Sequence, residues 1–204
     1  MIDTFIYLKN FLTDKYVASI TPTSQSAVEK VCERMDLNGR RLIVEYGPGT
    51  GVFTANLLKN MTDSSRLIAI ERNPNFSRVL RKGLLDPRLE IFNDCAENVL
   101  DILKASEEAE VDYILSGIPF SLLSLEAKLR ILKNAHFALK EGGKFLAYQN
   151  FFQFPEFLKN HLERIFQHVR TQYILQSIPP LVFFEAVKGN GNAEVFQHPE
   201  GAAI

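Results

Sequence analysis

The chain has 204 residues, 46% of them hydrophobic and 23% charged, with a formal net charge of −1. That composition supports one folded domain and excludes a disordered or fibrous chain, and the near-neutral balance gives no overall pull toward nucleic acid. The two cysteines, Cys32 and Cys95, lie far apart with no Cys-x-x-Cys spacing, so neither a zinc site nor a disulfide framework is expected.

In chain order, "FIYLKNFLTDKY" places Phe5, Leu8, Leu12 and Tyr16 on one side of an amphipathic helix. Its start has no basic stretch followed by a long apolar run, so no secretory signal is expected. No window approaches the ~18 consecutive apolar residues of a membrane span, and the expected location is the cytoplasm. A second helix is predicted from about Ser24 to Met35, with Thr23 or Ser24 as its N-cap. Apolar runs of strand length then follow at Leu42–Tyr46, Leu67–Glu71, Leu89–Phe92, Val111–Leu115 and Lys144–Gln149. Helical patterns separate them at Val52–Met61, Asn75–Lys82, Ala96–Lys104 and Leu125–Leu139, with Gly142–Gly143 as a helix stop. This alternation predicts an α/β domain with a mostly parallel sheet covered on both faces. After Asn150 a short helix (Pro155–Ile165) precedes two β-branched, aromatic runs, Val169–Ile178 and Leu181–Val187, joined through Pro179–Pro180. They predict a closing hairpin at the sheet edge. From Gly189 onward periodicity ends, as in a loose tail.

"LIVEYGPGTGVFT" sets Gly47, Gly49 and Gly51 behind the first strand. A dinucleotide fingerprint would need a third glycine where Val52 stands, and a P-loop would need Lys–Ser/Thr at Val52–Phe53. Tight glycines there still imply a ligand close to the backbone at a strand's carboxyl end. Glu71 lies 20 residues past Gly51, at the end of the second strand, where a carboxylate accepts ribose hydroxyls. Asp94 follows the third strand and can receive an adenine amine. Glycines with these carboxylates suit a ligand with ribose, adenine and positive charge but no phosphate, which describes S-adenosylmethionine.

On these residues the chain resembles the class I methyltransferases from about Thr21 to Lys188. "VEYGPGTGVFT", "IAIERN", "NDCAENV" and "DYILSGIPF" are similar to that family's first four motifs, in order. The resemblance implies a Rossmann-like, seven-stranded sheet with its last strand antiparallel, and two N-terminal helices. It implies cofactor contacts at Glu45, Gly47, Gly49, Thr50, Gly51, Glu71, Arg72, Asp94, Cys95 and Ser116. Gly47, Gly49 and Gly51 lie against the methionine part, Glu45 faces its ammonium through the turn or a water, Glu71 holds the ribose and Asp94 the adenine. Ser116, Gly117 and Tyr148 are placed at the transferred methyl, with no metal involved.

More narrowly, "LTDKYVASITPTSQ", "LSGIPFSLLS" and "SIPPLVFFEAVK" are similar to segments of the bacterial phospholipid N-methyltransferases, relatives of the ribosomal RNA adenine dimethylases. That resemblance implies one methyltransferase domain over 1–188, in which the extension 1–35 brings "VASITPTS", with Thr23 and Ser24, over the cofactor. It further implies bilayer contact by the N-terminal helix, peripheral on the inner face of the cytoplasmic membrane. That helix carries Asp3 and Asp14 against Lys9 and Lys15, a zero charge that favours apolar insertion over electrostatic attraction.

Three functions are distinguished at this stage: methylation of an aminolipid head group such as that of phosphatidylethanolamine, methylation of adenine in ribosomal RNA, and cofactor binding without catalysis. Adenine N6 enzymes place Asn or Asp ahead of Pro-Tyr after strand four, where this chain has Ser116-Gly117-Ile118-Pro119-Phe120. No basic RNA footprint is present, and the cofactor carboxylates argue against a non-catalytic module. The aminolipid leads, with no nucleic acid and no stable protein partner expected. In this reading a neutral amine is positioned for in-line attack, and Tyr46, Phe120 and Tyr148 are aromatic candidates for stabilising the methylated cation. The four histidines, His136 among them, are expected at the surface.

Overall fold

The computed structural model describes residues 24–153, 155–175 and 179–189. The predicted first helix, "VASITPTS" up to Thr23, and the tail from residue 190 lie outside the described residues. Helix α1 (Gln25–Cys32) is capped by Ser24, whose hydroxyl accepts from Ala27 N–H. Strands β1 (Leu42–Tyr46), β2 (Arg66–Ile70), β3 (Leu89–Phe92), β4 (Val111–Ser116) and β5 (Leu139–Asn150) alternate with α2 (Val52–Asn60), α3 (Pro74–Gly83), α4 (Val99–Ala105) and α5 (Leu125–Ala138). Helix α6 (Pro155–Ile165) and strands β6 (His168–Ile174) and β7 (Leu181–Val187) follow.

The sheet has seven strands in the order β3-β2-β1-β4-β5-β7-β6. The first five run parallel, while β7 is antiparallel to both β5 and β6. Strand β1 shows why the sheet is covered twice. Val44 and Tyr46 pack with Ile102 of α4, Leu132 of α5 and Leu162 of α6. Ile43 packs on the opposite side with Val28 of α1 and Leu57 of α2. Burying each such aliphatic side chain stabilises the fold by about 1.5–3 kcal/mol. The chain order reverses between β1 and β4, which puts a ligand crevice at their carboxyl ends.

Two local expectations change. Helix α5 stops at Ala138, and the chain is already extended from Leu139. Gly142 and Gly143 therefore end no helix. They sit where the β4–β5 register shifts between Val111 and Tyr113, with Gly142 at φ +72°. Gly142 N–H donates to Lys188 O and Gly143 O accepts from Lys188 N–H, so the pair forms a bulge that fits β5 to the end of β7. His136 is the second change: it is 3% exposed, edge-on to Phe166 with ring centroids 5.4 Å apart. Burial, with Lys188 nearby, lowers its pKa to about 4, so it is a neutral core ring at pH 7.

Candidate active site

Beyond Tyr46 the β1 ladder continues for one residue on each side of the chain. Gly47 N–H donates to Ile70 O and Gly117 N–H to Tyr46 O, both at 2.9 Å. The backbone then turns through Gly51, which has φ +85° and begins α2. The left-handed conformation favours glycine here, and a Cβ, 2.6 Å from Leu80 Cδ2, would in addition have to push that side-chain end aside.

Glu71, just past β2, holds this turn from below. Its Oε2 accepts Gly49 N–H at 2.9 Å and its Oε1 accepts Asn73 N–H at 2.8 Å. Asn73 in turn caps α3, its side chain accepting from Asn75 and Phe76 N–H, with Pro74 opening the helix. Asn93 Nδ2 donates to the carbonyls of Glu71 and Arg72, tying the end of β3 to the end of β2. Asp94 Oδ1 accepts Cys95 N–H and Asn98 Nδ2–H, both at 2.7 Å. Its Oδ2 has no hydrogen bond among the described residues.

Glu45 stands apart as a carboxylate inside an otherwise apolar, fully buried strand. Thr54, on the first turn of α2, donates to its Oε2 at 2.7 Å. Oε1 is buried with no hydrogen-bond partner among the described residues. Burial chiefly, opposed by the Thr54 hydrogen bond and reinforced by the Glu71 charge, pushes its pKa up to about 8.

The glycine turn, Glu71, Asn73 and Asp94 border a cavity of about 330 Å³ at the carboxyl end of the sheet. Of the sequence-predicted residues, Gly47, Gly49, Thr50, Glu71, Arg72, Asp94, Cys95, Gly117 and Tyr148 line it together. Glu45, Gly51, Ser116 and Ser24 do not. Ser116 is fully buried, and its hydroxyl lies 3.5 Å from Ile118 N. Ser24 serves as the α1 cap. The sequence reading missed Asn73, Thr54, Ile118 and Gln149. Only Thr54 had a signal, a hydroxyl one helical turn past a buried-strand glutamate.

The far wall is Tyr148, stacked on Phe53 with centroids 4.3 Å apart. Its ring edge fills the space where Gly117 lacks a side chain: a Cβ there would meet the Tyr148 hydroxyl, Tyr148 Cζ at 2.8 Å and Gly47 O at 3.2 Å. Gly117→Ala should therefore displace Tyr148 into the cavity. The expected result is at least tenfold weaker binding of S-adenosylhomocysteine by calorimetry, with a melting temperature within a few degrees of the parent. Unchanged affinity would remove this contact from the determinants of cavity shape.

The cavity meets the requirements of S-adenosylmethionine on the structure's own terms. It offers the glycine backbone of Gly47, Gly49 and Gly117 and a carboxylate (Asp94) with one oxygen not hydrogen-bonded, while behind the glycine turn the buried Glu45 carboxyl keeps one oxygen without a donor. Fold and site together define an S-adenosylmethionine-dependent methyltransferase. Residues 24–175 match the family model described as methyltransferase small domain, and the chain belongs to that family. It is 24% identical, over 88% of its length and 93% of the relative's, to an ornithine lipid N-methyltransferase of Singulisphaera acidiphila. It is 32% identical to an rRNA adenine N-6-methyltransferase of Lysinibacillus sphaericus, but over only 56% of this chain and 40% of that one. Among solved structures, a precorrin-6y C5,15-methyltransferase of Geobacter metallireducens superposes with TM-score 0.69, covering 86% of this chain and 96% of that one at 17% identity. Among the described residues no helix is long and apolar enough to cross a membrane.

Proposed function

We propose that the chain transfers methyl groups to the amine head group of a membrane lipid, working as one domain over 1–188 at the inner face of the cytoplasmic membrane. The observation that carries this reading is the mouth of the cavity. The segment after β4 lines it through Leu123 and Ser124, and the end of β5 with the segment after it through Asn150 and Gln153. Each also carries large apolar side chains in solvent: Leu122, Leu125, Phe151 and Phe152 are 45–57% exposed. Apolar side chains gathered at a site entrance mark a surface that meets something apolar. The end-to-end likeness to a lipid N-methyltransferase supports the same acceptor, whereas the rRNA relative aligns with little more than half of the chain.

S-adenosylmethionine, when bound, supplies a methyl already activated by its sulfonium. The chain's own residues bind and orient. Gly49 and Thr50 approach with backbone, Glu71 takes hydroxyls, and Asp94 takes an amine. Tyr148 and Gly117 shape the end where the acceptor enters, and closing it to water favours the neutral, nucleophilic amine by desolvation.

The test is transfer of labelled methyl from the cofactor to vesicles of phosphatidylethanolamine, vesicles of ornithine lipid, ribosomal RNA and bulk protein, offered separately. Label confined to a lipid fraction is expected. Label in RNA would move the assignment to the adenine methylases, and cofactor binding without any label would leave a binding module. With lipid as acceptor, removing residues 1–16 should abolish transfer to vesicles while the core still binds S-adenosylhomocysteine.

A further inference from the structure

A second cavity of about 230 Å³ shares Gln149 and Gln153 with the first, and is otherwise walled by Phe120, Lys128, Phe157 and Leu158 among others. We infer that this second cavity is the acceptor's head-group pocket and selects a zwitterionic amphiphile, with the amine received by Gln149 and the anionic group by Lys128. The inference rests on the aminolipid reading above and specifies what that lipid must carry.

Gln149 is the first reason. It is 4% exposed and lines both cavities. Its Nε2 donates to Gln153 O at 3.3 Å, which fixes the amide's orientation. Its Oε1 is buried with no hydrogen-bond partner among the described residues. A buried carbonyl left without a donor is costly, and Gln149, which carries this one, lines both cavities, so it marks where a donor arrives. An acceptor amine has N–H to give. The hydrogen bond would leave the nitrogen lone pair free to face the neighbouring cofactor cavity.

Lys128 is the second. Its Nζ lies 4.1 Å from the centroid of the Phe157 ring, and it forms no ion pair among the described residues. Contact with an aromatic face holds the ammonium in place while leaving its N–H groups to an incoming anion. Phe120 and Leu158, each 1% exposed, supply the apolar floor for the methylenes between the two charged ends. The pocket thus presents an amine acceptor, an aliphatic wall and a cation within one small space. That chemistry fits a phosphate-linked ethanolamine and a carboxylate-bearing ornithine alike.

Binding to the chain loaded with S-adenosylhomocysteine separates these sources without needing turnover. The probes are dihexanoylphosphatidylethanolamine, N-hexanoylornithine and, lacking any anion, octylamine. Lys128→Gln should weaken the first two about tenfold and leave octylamine unchanged, with S-adenosylhomocysteine affinity retained as proof of folding. Gln149→Leu should weaken all three. Loss for one anionic probe alone would identify which head group the pocket takes. Equal affinities in Lys128→Gln and the parent, or binding of octylamine as tight as that of both zwitterions, would overturn the inference. So would a Gln149→Leu chain that binds like the parent, as expected if Oε1 holds only a water. Label reaching RNA in the transfer assay while these variants still discriminate the probes would sink the lipid reading and keep the pocket. Label reaching lipid with no effect of either substitution would do the reverse.

Discussion

Glu71→Ala is expected to weaken S-adenosylhomocysteine binding by about 2–4 kcal/mol, some thirtyfold to a thousandfold. Losing the ligand hydroxyl contacts proposed for this carboxylate accounts for one part. The larger part follows from what Glu71 does for the protein itself. Its two oxygens receive Gly49 N–H from the glycine turn and Asn73 N–H at the start of α3. Without it both donors lose their acceptor inside a buried site, and the turn that cradles the cofactor loses its anchor to β2. Glu71→Gln distinguishes the two parts. An amide has one accepting oxygen, so one of the two N–H groups remains paired, and the affinity should fall between parent and alanine variant. Calorimetry on the three chains reads this directly. An alanine variant that binds within twofold of the parent would show that neither the turn nor the ligand depends on Glu71.

Long-range architecture was legible because it is written in burial. Leu42–Tyr46 and Val111–Leu115 are, apart from Glu45 and Asp112, apolar on both faces, as a doubly covered parallel strand requires, and they became β1 and most of β4. The antiparallel ending was foreshadowed by Pro179–Pro180 between two β-branched runs, and β7 indeed enters between β5 and β6. Local chemistry was less legible wherever a residue type has two uses. Gly142–Gly143 suit a helix stop and a bulge equally, and only the partner strand decides. His136 carries a polar label, yet its position on α5 faces Phe166 rather than water. At the site, glycines and strand-end carboxylates identify themselves by spacing. Gln149 does not, since an amide near a strand end is ordinary in sequence, and its role depends on an unpaired oxygen that only three dimensions display.

The site also contains polar groups that the fold places at its own expense, and Glu45 is the clearest. An unfolded glutamate titrates at its ordinary value of 4.5, and burial raises it to about 8 in the folded chain. Between those values the folded state holds a proton that the unfolded state has released, so stability falls as pH rises through this window. His136 acts in the opposite sense, its pKa falling from 6.5 to about 4 on folding. There the unfolded state binds the extra proton, and stability rises with pH up to about 6.5. The window from pH 6.5 to 8 therefore isolates Glu45. Across it the cofactor-free parent should lose about 2 kcal/mol at ~1.4 kcal/mol per pH unit, roughly 4–8 °C in melting temperature. Glu45→Gln keeps the Thr54 hydrogen bond without the ionisation, so its melting temperature should stay level over the same range and exceed the parent's at pH 8. If, as the resemblance implies, the ligand's ammonium acts on Glu45 through the glycine turn or a water, the variant's affinity for S-adenosylhomocysteine should nevertheless be lower, because that charge favours the ionised carboxylate. At pH 7 the parent should release a proton on binding, seen as a calorimetric enthalpy that changes with the buffer, and the variant should not. A parent whose melting temperature is flat from pH 6.5 to 8, or a variant that still releases the proton, would assign the linkage to another group.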